Sequence, residues 1–280
     1  MNRDIRRFGD CVIASLVIAC SAVTLSAQLR GRDLTDLDAS NAGRGRGAPA
    51  GKTPKESAPI DLTGYWVSIV SEDWRFRMVT PPKGDFPNFL LTPEAIKVAD
   101  AWDPAKDEAA KDHCKAYGAP NIMRVPGRFH ITWADDRTLK IETDAGLQTR
   151  LLKFPGPSTL PQGQGRPEQG RGATSAGQVA TAAPPSRQGN STAQWERKAL
   201  RVETSNLLPG YLQSNGVPFD GNLKMTEYFD VITEPGGEIW LIDDAVLTDP
   251  GVLVRSHKRS THLRKQQDSK GWDPGPCVVR

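Results

Sequence analysis

The stretch LKMTEYFDVITEPGGEIWLIDDAVLT, residues 223–248, decides the fold class of this chain. On both sides of Pro235-Gly236-Gly237, apolar and polar residues alternate with the period of a β-strand that buries one face. Proline and glycine at the centre favour a tight connection between the two arms. The stretch therefore predicts two strands, 223–233 and 238–248, joined as a β-hairpin.

The same pattern recurs on both sides of this hairpin. A meander of about nine strands is typical of an antiparallel barrel or a strongly curled sheet. The chain is therefore predicted to be mainly β, an antiparallel up-and-down barrel or strongly curled sheet with one or two short helices. The further predicted strands are 64–70, 74–79, 129–133, 138–143, 148–154, 193–195, 199–204 and 252–263.

Two helix signals interrupt the strands. Thr92-Pro93-Glu94 offers an N-cap, a proline at the first helical position and an early acid, which predicts a helix of about ten residues. Asp103-Pro104 repeats this start signal, and the alanine-rich run after it continues to Tyr117, where Gly118 is placed to end it. These two segments are the short helices expected beside the sheet.

Composition and motifs exclude several classes of protein. Lys and Arg number 36 against 33 Asp and Glu, a net charge of +3, so nucleic acid is not demanded as a partner. No apolar run reaches the roughly 18 residues of a membrane-spanning helix. No phosphate loop, nucleophile motif or histidine pair at metal-ligand spacing stands out. The sequence therefore predicts no cofactor, no metal site and no transmembrane span.

Residues 1–27 have the three parts of a secretory signal peptide. A basic start precedes an apolar run and the small pair Ser26-Ala27. We therefore predict Sec-dependent export to the periplasm or beyond it. The alternative is a lipoprotein, because Val17-Ile18-Ala19-Cys20 resembles a lipoprotein box in which Cys20 would become the acylated N-terminus.

The remaining chain divides into one folded domain and two segments of low complexity. Residues 28–58 lack aromatic side chains and are rich in Gly, Pro, Arg and Ser, so they are predicted to be a disordered linker. Residues 155–190 have a similar composition and are predicted to be a disordered insert between two strands. The sequence thus indicates a single β-barrel-like domain, 59–280, interrupted at 155–190.

Cleavage of the signal peptide would leave two cysteines, Cys114 and Cys277. An even pair in an oxidising compartment favours a disulfide, which would pin the C-terminal tail to the first half of the domain. The alternative is two free buried thiols.

Several motifs resemble known families. Asp61-Leu62-Thr63-Gly64-Tyr65-Trp66 resembles the opening strand of lipocalin-like (calycin-type) barrels, in which the indole of Gly-x-Trp packs under the strands at one barrel end. Other pieces are similar to an uncharacterised family of secreted bacterial β-rich proteins, in which the segment matching 155–190 is usually short. This resemblance implies secretion and a lipocalin-like β-fold, and it implies no activity. The pieces are Leu91-Thr92-Pro93-Glu94, Trp102-Asp103-Pro104, Cys114 with Gly118-Ala119-Pro120, Trp195 with Leu200-Arg201-Val202-Glu203-Thr204, Thr226-Glu227-Tyr228-Phe229 and Thr248-Asp249-Pro250.

Strand parity singles out one acid in the predicted interior. In the strand 223–233, Glu227 shares its face with apolar residues such as Phe229, so its carboxylate needs a partner or a raised pKa. It is either half of a structural ion pair or a functional group. The candidate partners for acid-base chemistry are His130 and His257, both on predicted strands.

Two functional hypotheses follow from this pattern. The first is a secreted or periplasmic β-barrel module that binds a small apolar or amphipathic ligand inside, or presents its surface to an envelope protein. The second is a lipocalin-like enzyme, an isomerase, cyclase or hydrolase, in which Glu227 works with His130 or His257 and both groups line one cavity. The interior residues expected to touch a ligand are Trp66, Trp133, Arg150 and Glu227.

The segment 255–270 carries six cations against Asp268, a local charge of +5. This excess fits an anionic ligand, an anionic surface or a partner protein. The alternative is a charged edge strand that resists pairing with other sheets.

Overall fold

The computed structural model describes residues 51–156 and 183–279. The described residues belong to one compact unit. The predicted signal peptide, 1–27 with Cys20, lies outside the described residues, as do 28–50 of the predicted linker and 157–182 of the predicted insert.

The described residues are mainly β, as predicted, with a few short helices. The helices are α1 (Trp74–Met78), α2 (Pro93–Asp100), α3 (Pro104–Ala109) and α4 (Ala119–Ile122), with a 3-10 turn at Lys115–Tyr117. The strands are β1 (Gly64–Ile69), β2 (Arg128–Asp135), β3 (Thr138–Thr143), β4 (Ala145–Gly146), β5 (Thr149–Lys153), β6 (Asn190–Glu196), β7 (Ala199–Ser205), β8 (Gly210–Gln213), β9 (Val217–Phe219), β10 (Lys224–Thr233), β11 (Ile239–Thr248), β12 (His257–Gln266) and β13 (Gly275–Pro276).

Nine strands of the described chain close into a barrel. Their order around the barrel is β1, β12, β11, β10, β7, β6, β5, β3 and β2, and β2 pairs back with β1. The hairpin predicted at 223–248 is confirmed, because β10 pairs with β11 in register from Lys224 opposite Thr248 to Thr233 opposite Ile239. The predicted barrel is therefore confirmed as a closed one.

One junction departs from the predicted antiparallel meander. β5 pairs with β6 in parallel, with Leu152 opposite Ser191. Parallel neighbours need a crossover of a dozen or more residues, and the chain between Lys153 and Asn190 supplies that length. Strand patterns carry no information on direction, so the sequence could not distinguish this junction from an antiparallel one.

The two ends of the barrel differ in chemistry. At the end where β12 stops, Trp133, Phe154 and Trp195 form a cluster with ring centroids 5.5 to 6.5 Å apart. We call this the aromatic end. At the other end, where β12 starts at His257, α1, α2 and α4 pack beside the strands, and a second apolar core under α2 extends the main barrel core. We call this the helical end.

The strand predicted at 74–79 is wrong, because residues 74–78 form helix α1. Asp73 has a left-handed backbone (φ 50°) that turns the chain after β1. The buried Arg77 then donates from Nε to Arg124 O at 2.9 Å and pairs through Nη1 with Glu72. This polar anchoring outweighs the β-propensity of the segment. Two other bounds shift: α3 ends at Ala109 and not at Tyr117, and the strand expected from Val252 begins at His257.

Parts of both predicted low-complexity segments have defined positions against the barrel. Thr53 and Glu56 exchange capping hydrogen bonds, and Trp195 Nε1 donates to Pro54 O at 2.8 Å, so residues 51–58 cover the aromatic end. Near the end of the predicted insert, Arg187 O accepts from Ala119 N at 2.9 Å. The predicted linker and insert therefore extend too far at these ends.

Cys114 and Cys277 lie at disulfide-bonding distance, Sγ to Sγ 2.05 Å, as predicted. Next to the bond, β13 pairs with β4, and Gly146 has a backbone φ of +79°. A Cβ at Gly146 would lie 2.4 Å from the ring of Tyr117, so the site requires glycine. The disulfide and the short β13 pairing together hold the C-terminal tail on the barrel.

Removal of the disulfide by Cys114→Ala/Cys277→Ala is expected to lower the free energy of unfolding by about 2 to 5 kcal/mol, because the bond closes a long loop in the unfolded chain. Urea denaturation of the oxidised protein, the reduced protein and the double variant measures this. The reduced protein and the variant should agree; equal stability of all three would contradict the expectation.

Candidate functional site

The barrel interior holds a buried ion pair. Glu227 on β10 and Arg150 on β5 both point inward, and each side chain is 1% exposed. Arg150 Nη1 donates to Glu227 Oε1 at 2.9 Å, and Arg150 Nη2 donates to Glu227 Oε2 at 2.6 Å. This geometry satisfies both carboxylate oxygens. The structure thus places Glu227 in a structural ion pair, one of the two roles that the sequence left open.

Asp243 lies on the inner face of β11, beside this pair. It is 2% exposed, and its Oδ1 has no hydrogen-bond partner in the described part of the chain. Burial, together with the negative charge of Glu227, raises the pKa of Asp243 well above its ordinary value. The Asp243 carboxyl group therefore favours its neutral, protonated form.

Arg259, on the inner face of β12, is a second buried charged group, of opposite sign to Asp243. Its Nη1 is buried and makes no hydrogen bond to the described residues. Burial and the positive charge of Arg124 lower the pKa of Arg259 to about 9, which still leaves the guanidinium charged at neutral pH. The negative charges of Asp243 and Glu227 act in the other direction and favour the charged guanidinium.

Sequence reasoning predicts Arg150 and Glu227 in the interior but misses Asp243. The period-two pattern of the strand could have revealed Asp243, since it shares one face with Leu241 and Ala245 just as Glu227 shares one with Phe229. Arg259 shares its strand face with His257, so parity alone would have placed both on the same side of the wall.

A narrow polar cavity lies at the helical end, between α1, α4 and the start of β12. Its volume is about 30 Å³, and its polar lining includes Arg77, Asn121, Arg124 and His257. Arg77 is 6% exposed, and its Nη2 has no hydrogen-bond partner among the described residues. Arg124 Nη2 donates to Asp73 Oδ2 at 2.7 Å. The cavity is therefore walled by guanidinium groups, one of which has an unused donor.

A wider groove of about 630 Å³ adjoins this cavity on the solvent side. Asp73, Asn88 and His257 line both spaces, and we call the cavity and the groove together the mouth cleft. Leu90 adds an exposed apolar side chain to the groove. The mouth cleft thus combines a small polar recess with a mixed outer part.

His257 stands where the recess meets the groove. Its ring stacks on Phe89 with centroids 4.5 Å apart, and its ring nitrogens make no hydrogen bond to the described residues. Burial, then the positive charges of Arg259 and Arg124, lower the pKa of His257 to about 4, while Asp73 acts in the other direction. His257 is therefore a neutral imidazole at pH 7, with both ring nitrogens unused by the described chain.

The hypothesised pair of Glu227 and His130 is wrong. His130 lies on the outer face of β2, where its ring stacks on Tyr65 at 4.1 Å and its Nδ1 lies 3.5 Å from Glu142 Oε2. The barrel wall separates it from Glu227. His257 is on the inner side, but no hydrogen bond or ion pair links it to Glu227 in the described structure, and Arg150 occupies both Glu227 oxygens.

The tryptophans expected to touch a ligand lie away from the mouth cleft. Trp66 is fully buried in the barrel core, where its Nε1 donates to Leu62 O at 2.9 Å. Trp133 packs with Phe154 and Trp195 at the aromatic end. These two predicted ligand contacts, and the Arg150–Glu227 pair, are thus components of the packed interior.

The strand β12 is not an edge strand, so that alternative for the cationic segment is wrong. It pairs with β11 on one side and β1 on the other. Arg264 pairs with Glu238 and Lys265 with Asp61. Arg255, Lys258 and Arg259 line the groove and concentrate positive charge there.

Within the described residues, no helix has the length and apolar character needed to cross a bilayer. The same residues contain no group of three His, Cys, Asp or Glu side chains arranged to hold a metal ion.

Replacement of Asp243 by Asn is expected to flatten the dependence of stability on pH. Because the folded-state pKa of Asp243 is raised, the wild type loses up to about 1.4 kcal/mol of unfolding free energy per pH unit as the pH rises from the ordinary carboxyl pKa to the raised one. Asp243→Asn should therefore be the more stable protein at pH 7. Urea denaturation from pH 4 to 8 measures this, with the exposed Asp244→Asn as control; parallel profiles for wild type and Asp243→Asn would contradict it.

His257 is expected to act in the opposite direction. Its folded-state pKa of about 4 lies below the unfolded value, so protonation favours the unfolded chain and stability falls as the pH drops from 6.5 to about 4. NMR titration of the imidazole protons measures the pKa, and His257→Gln should remove this part of the loss. A His257 pKa at the ordinary value of 6.5 would contradict the expectation.

No family model, curated protein or solved structure matches this chain. The resemblance to secreted bacterial β-rich proteins, and the lipocalin-like motif at Gly64-Tyr65-Trp66, therefore remain predictions.

Proposed function

We propose that this chain is a secreted or periplasmic β-barrel module that binds a small amphipathic or anionic ligand. The ligand binds in the mouth cleft at the helical end and not at the barrel centre. This proposal retains the ligand-binding hypothesis drawn from the sequence, but it places the site in the mouth cleft and not in the barrel interior.

The mouth cleft is the observation that carries the proposal. Small-molecule sites are concave, with a few convergent polar groups beside apolar surface and volumes of about 300 to 1,000 Å³. The groove, at about 630 Å³, falls within that range and shares His257 with the neighbouring recess. By contrast, Arg150 and Glu227 occupy the barrel centre with a buried ion pair in which both Glu227 oxygens accept from Arg150.

Export is supported by two independent features. Cys114 and Cys277 lie at disulfide-bonding distance, and disulfides form and persist mainly in oxidising compartments. The pattern of residues 1–27 is that of a signal peptide.

Asn88→Trp is expected to abolish ligand binding, because Asn88 lines both parts of the mouth cleft and an indole would fill it. Native mass spectrometry of protein purified from the periplasm should show a bound mass in the wild type and in the exposed control Asn222→Trp, and none in Asn88→Trp. In parallel, octanoate is titrated into the ¹⁵N-labelled wild type.

Shifts that cluster at Asn88, His257 and their neighbours support the proposal. A protein that carries no bound mass and shows no shifts in the cleft, or a bound mass that persists in Asn88→Trp, would overturn it. An envelope protein co-purifying in place of a small molecule would favour the surface-partner hypothesis.

A further inference from the structure

A second groove, with a volume of about 420 Å³, lies between helix α2, the β8–β9 hairpin and the turn at Gly251. We call it the α2 groove. It shares no lining residue with the mouth cleft. Its volume is within the range of small-molecule sites, and its walls are mainly apolar. The apolar lining includes Ala95, Val98, Pro209, Tyr211, Pro218 and Val252.

Two acidic residues meet at one end of the α2 groove. Thr92, the N-cap of α2, donates from Oγ1 to Gly251 O at 3.0 Å, so the start of the helix, with Glu94, lies beside Gly251. Asp220 lies there as well, because its Oδ2 is 2.9 Å from the position that a Cβ on Gly251 would take. Glu94 and Asp220 both line the groove. We call this the acidic end of the groove.

The charge of the acidic end is not neutralised within the described residues. There, neither Glu94 nor Asp220 forms an ion pair with Lys, Arg or His. A third carboxyl group, Asp249, lies behind Asp220 and accepts from Asp220 N at 2.9 Å. Burial and the negative charge of Asp220 raise the pKa of Asp249. The acidic end therefore carries an excess of negative charge.

The charges near Tyr211, by contrast, are balanced. Lys115 is the cation of the lining, and it pairs with Asp107 and, at 3.8 Å, with Asp112. Asp112 also pairs with Arg187, so two cations stand against two carboxylates. Tyr211 donates from its hydroxyl to Asp107 Oδ2 at 2.7 Å. Lys115 is thus engaged by its own partners and does not offset the charge of the acidic end.

This distribution of charge limits the ligand that the α2 groove can hold. The apolar walls favour an apolar body, and they include Val98, which is 55% exposed although it is a large apolar side chain. The excess negative charge favours a cationic group at the acidic end and disfavours an anionic one. The complementary small molecule has an apolar body and one ammonium group.

We propose that the α2 groove binds small amphipathic amines, with the apolar body along Val98 and Val252 and the ammonium group beside Glu94 and Asp220. This site is separate from the mouth cleft, so the inference goes beyond the proposed function and does not depend on it.

The test compares three probes of equal chain length at pH 7: octylamine, octanol and octanoate. Each is titrated into the ¹⁵N-labelled full mature protein and followed by NMR. Octylamine should shift the amide signals of Val98, Tyr211 and Val252 and bind there about two- to tenfold more tightly than octanol, since two partly exposed carboxylates each contribute modestly. Octanoate should bind there most weakly.

The matched variants are Glu94→Gln and Glu234→Gln. Both residues are exposed, but Glu234 lies outside the α2 groove. Glu94→Gln removes one charge of the acidic end and should weaken octylamine about two- to fivefold, while octanol binding stays unchanged. Glu234→Gln should leave the affinity for both probes unchanged.

The outcomes separate this inference from the proposed function, because the shifts of the two sites fall on different residues. The amine class is overturned if octanol or octanoate binds in the α2 groove as tightly as octylamine, or if Glu94→Gln does not weaken octylamine. If no probe shifts the groove signals, the site itself is overturned. Groove signals that shift on dilution without any probe would show that a second copy of the chain covers the groove, and this result would also overturn the proposal.

Discussion

Arg150 and Glu227 join two strands that lie three positions apart around the barrel, and they do so through two hydrogen bonds in a space from which water is excluded. A carboxylate buried on the apolar face of β10 is unfavourable unless such a partner reaches it. Removal of either side chain would leave the other charge buried without a partner, which would lower the free energy of unfolding by about 3 to 5 kcal/mol. The strand β5 adjoins the parallel junction with β6, so the pair also ties the irregular part of the wall to the regular β10–β11–β12 sheet.

This constraint determines where a ligand can bind. The pair and the apolar side chains around it occupy the centre, which in many small barrels is either filled or holds the ligand. The aromatic end is covered by Trp133, Phe154 and Trp195 together with Pro54. The helical end differs, because residues of α1, α4 and the start of β12 line the mouth cleft there.

The sequence predicts the regular features of this structure well. Alternation places Glu227 correctly on the inner face, and the N-cap at Thr92 is confirmed by the hydrogen bond from Ala95 N to Thr92 Oγ1 at 3.2 Å. It fails where long-range contacts override local pattern. Residues 74–78 have strand-like residues but form a helix, because Arg77 is anchored on Arg124 and Glu72.

The candidate site could not be predicted from the sequence, because long-range contacts form it as well. Its recess is lined from α1, the segment after α4 and the start of β12, which are far apart in the chain, and no motif links them. Parity does place His257 on the inner face, but it cannot show that His257 lies near Arg124 and away from the oxygens of Glu227. Parity could have revealed Asp243, because a second acid alternating with core residues stands next to the hairpin partner of Glu227.

The central pair and the mouth cleft are linked through charge. The negative charge of Glu227, added to burial, raises the pKa of Asp243, and the negative charges of Asp243 and Glu227 both favour the charged form of Arg259. Arg259 in turn acts with Arg124 to keep His257 neutral. The positive field at the cleft is therefore maintained by the arrangement of charges in the barrel interior as well as by the residues that line the cleft.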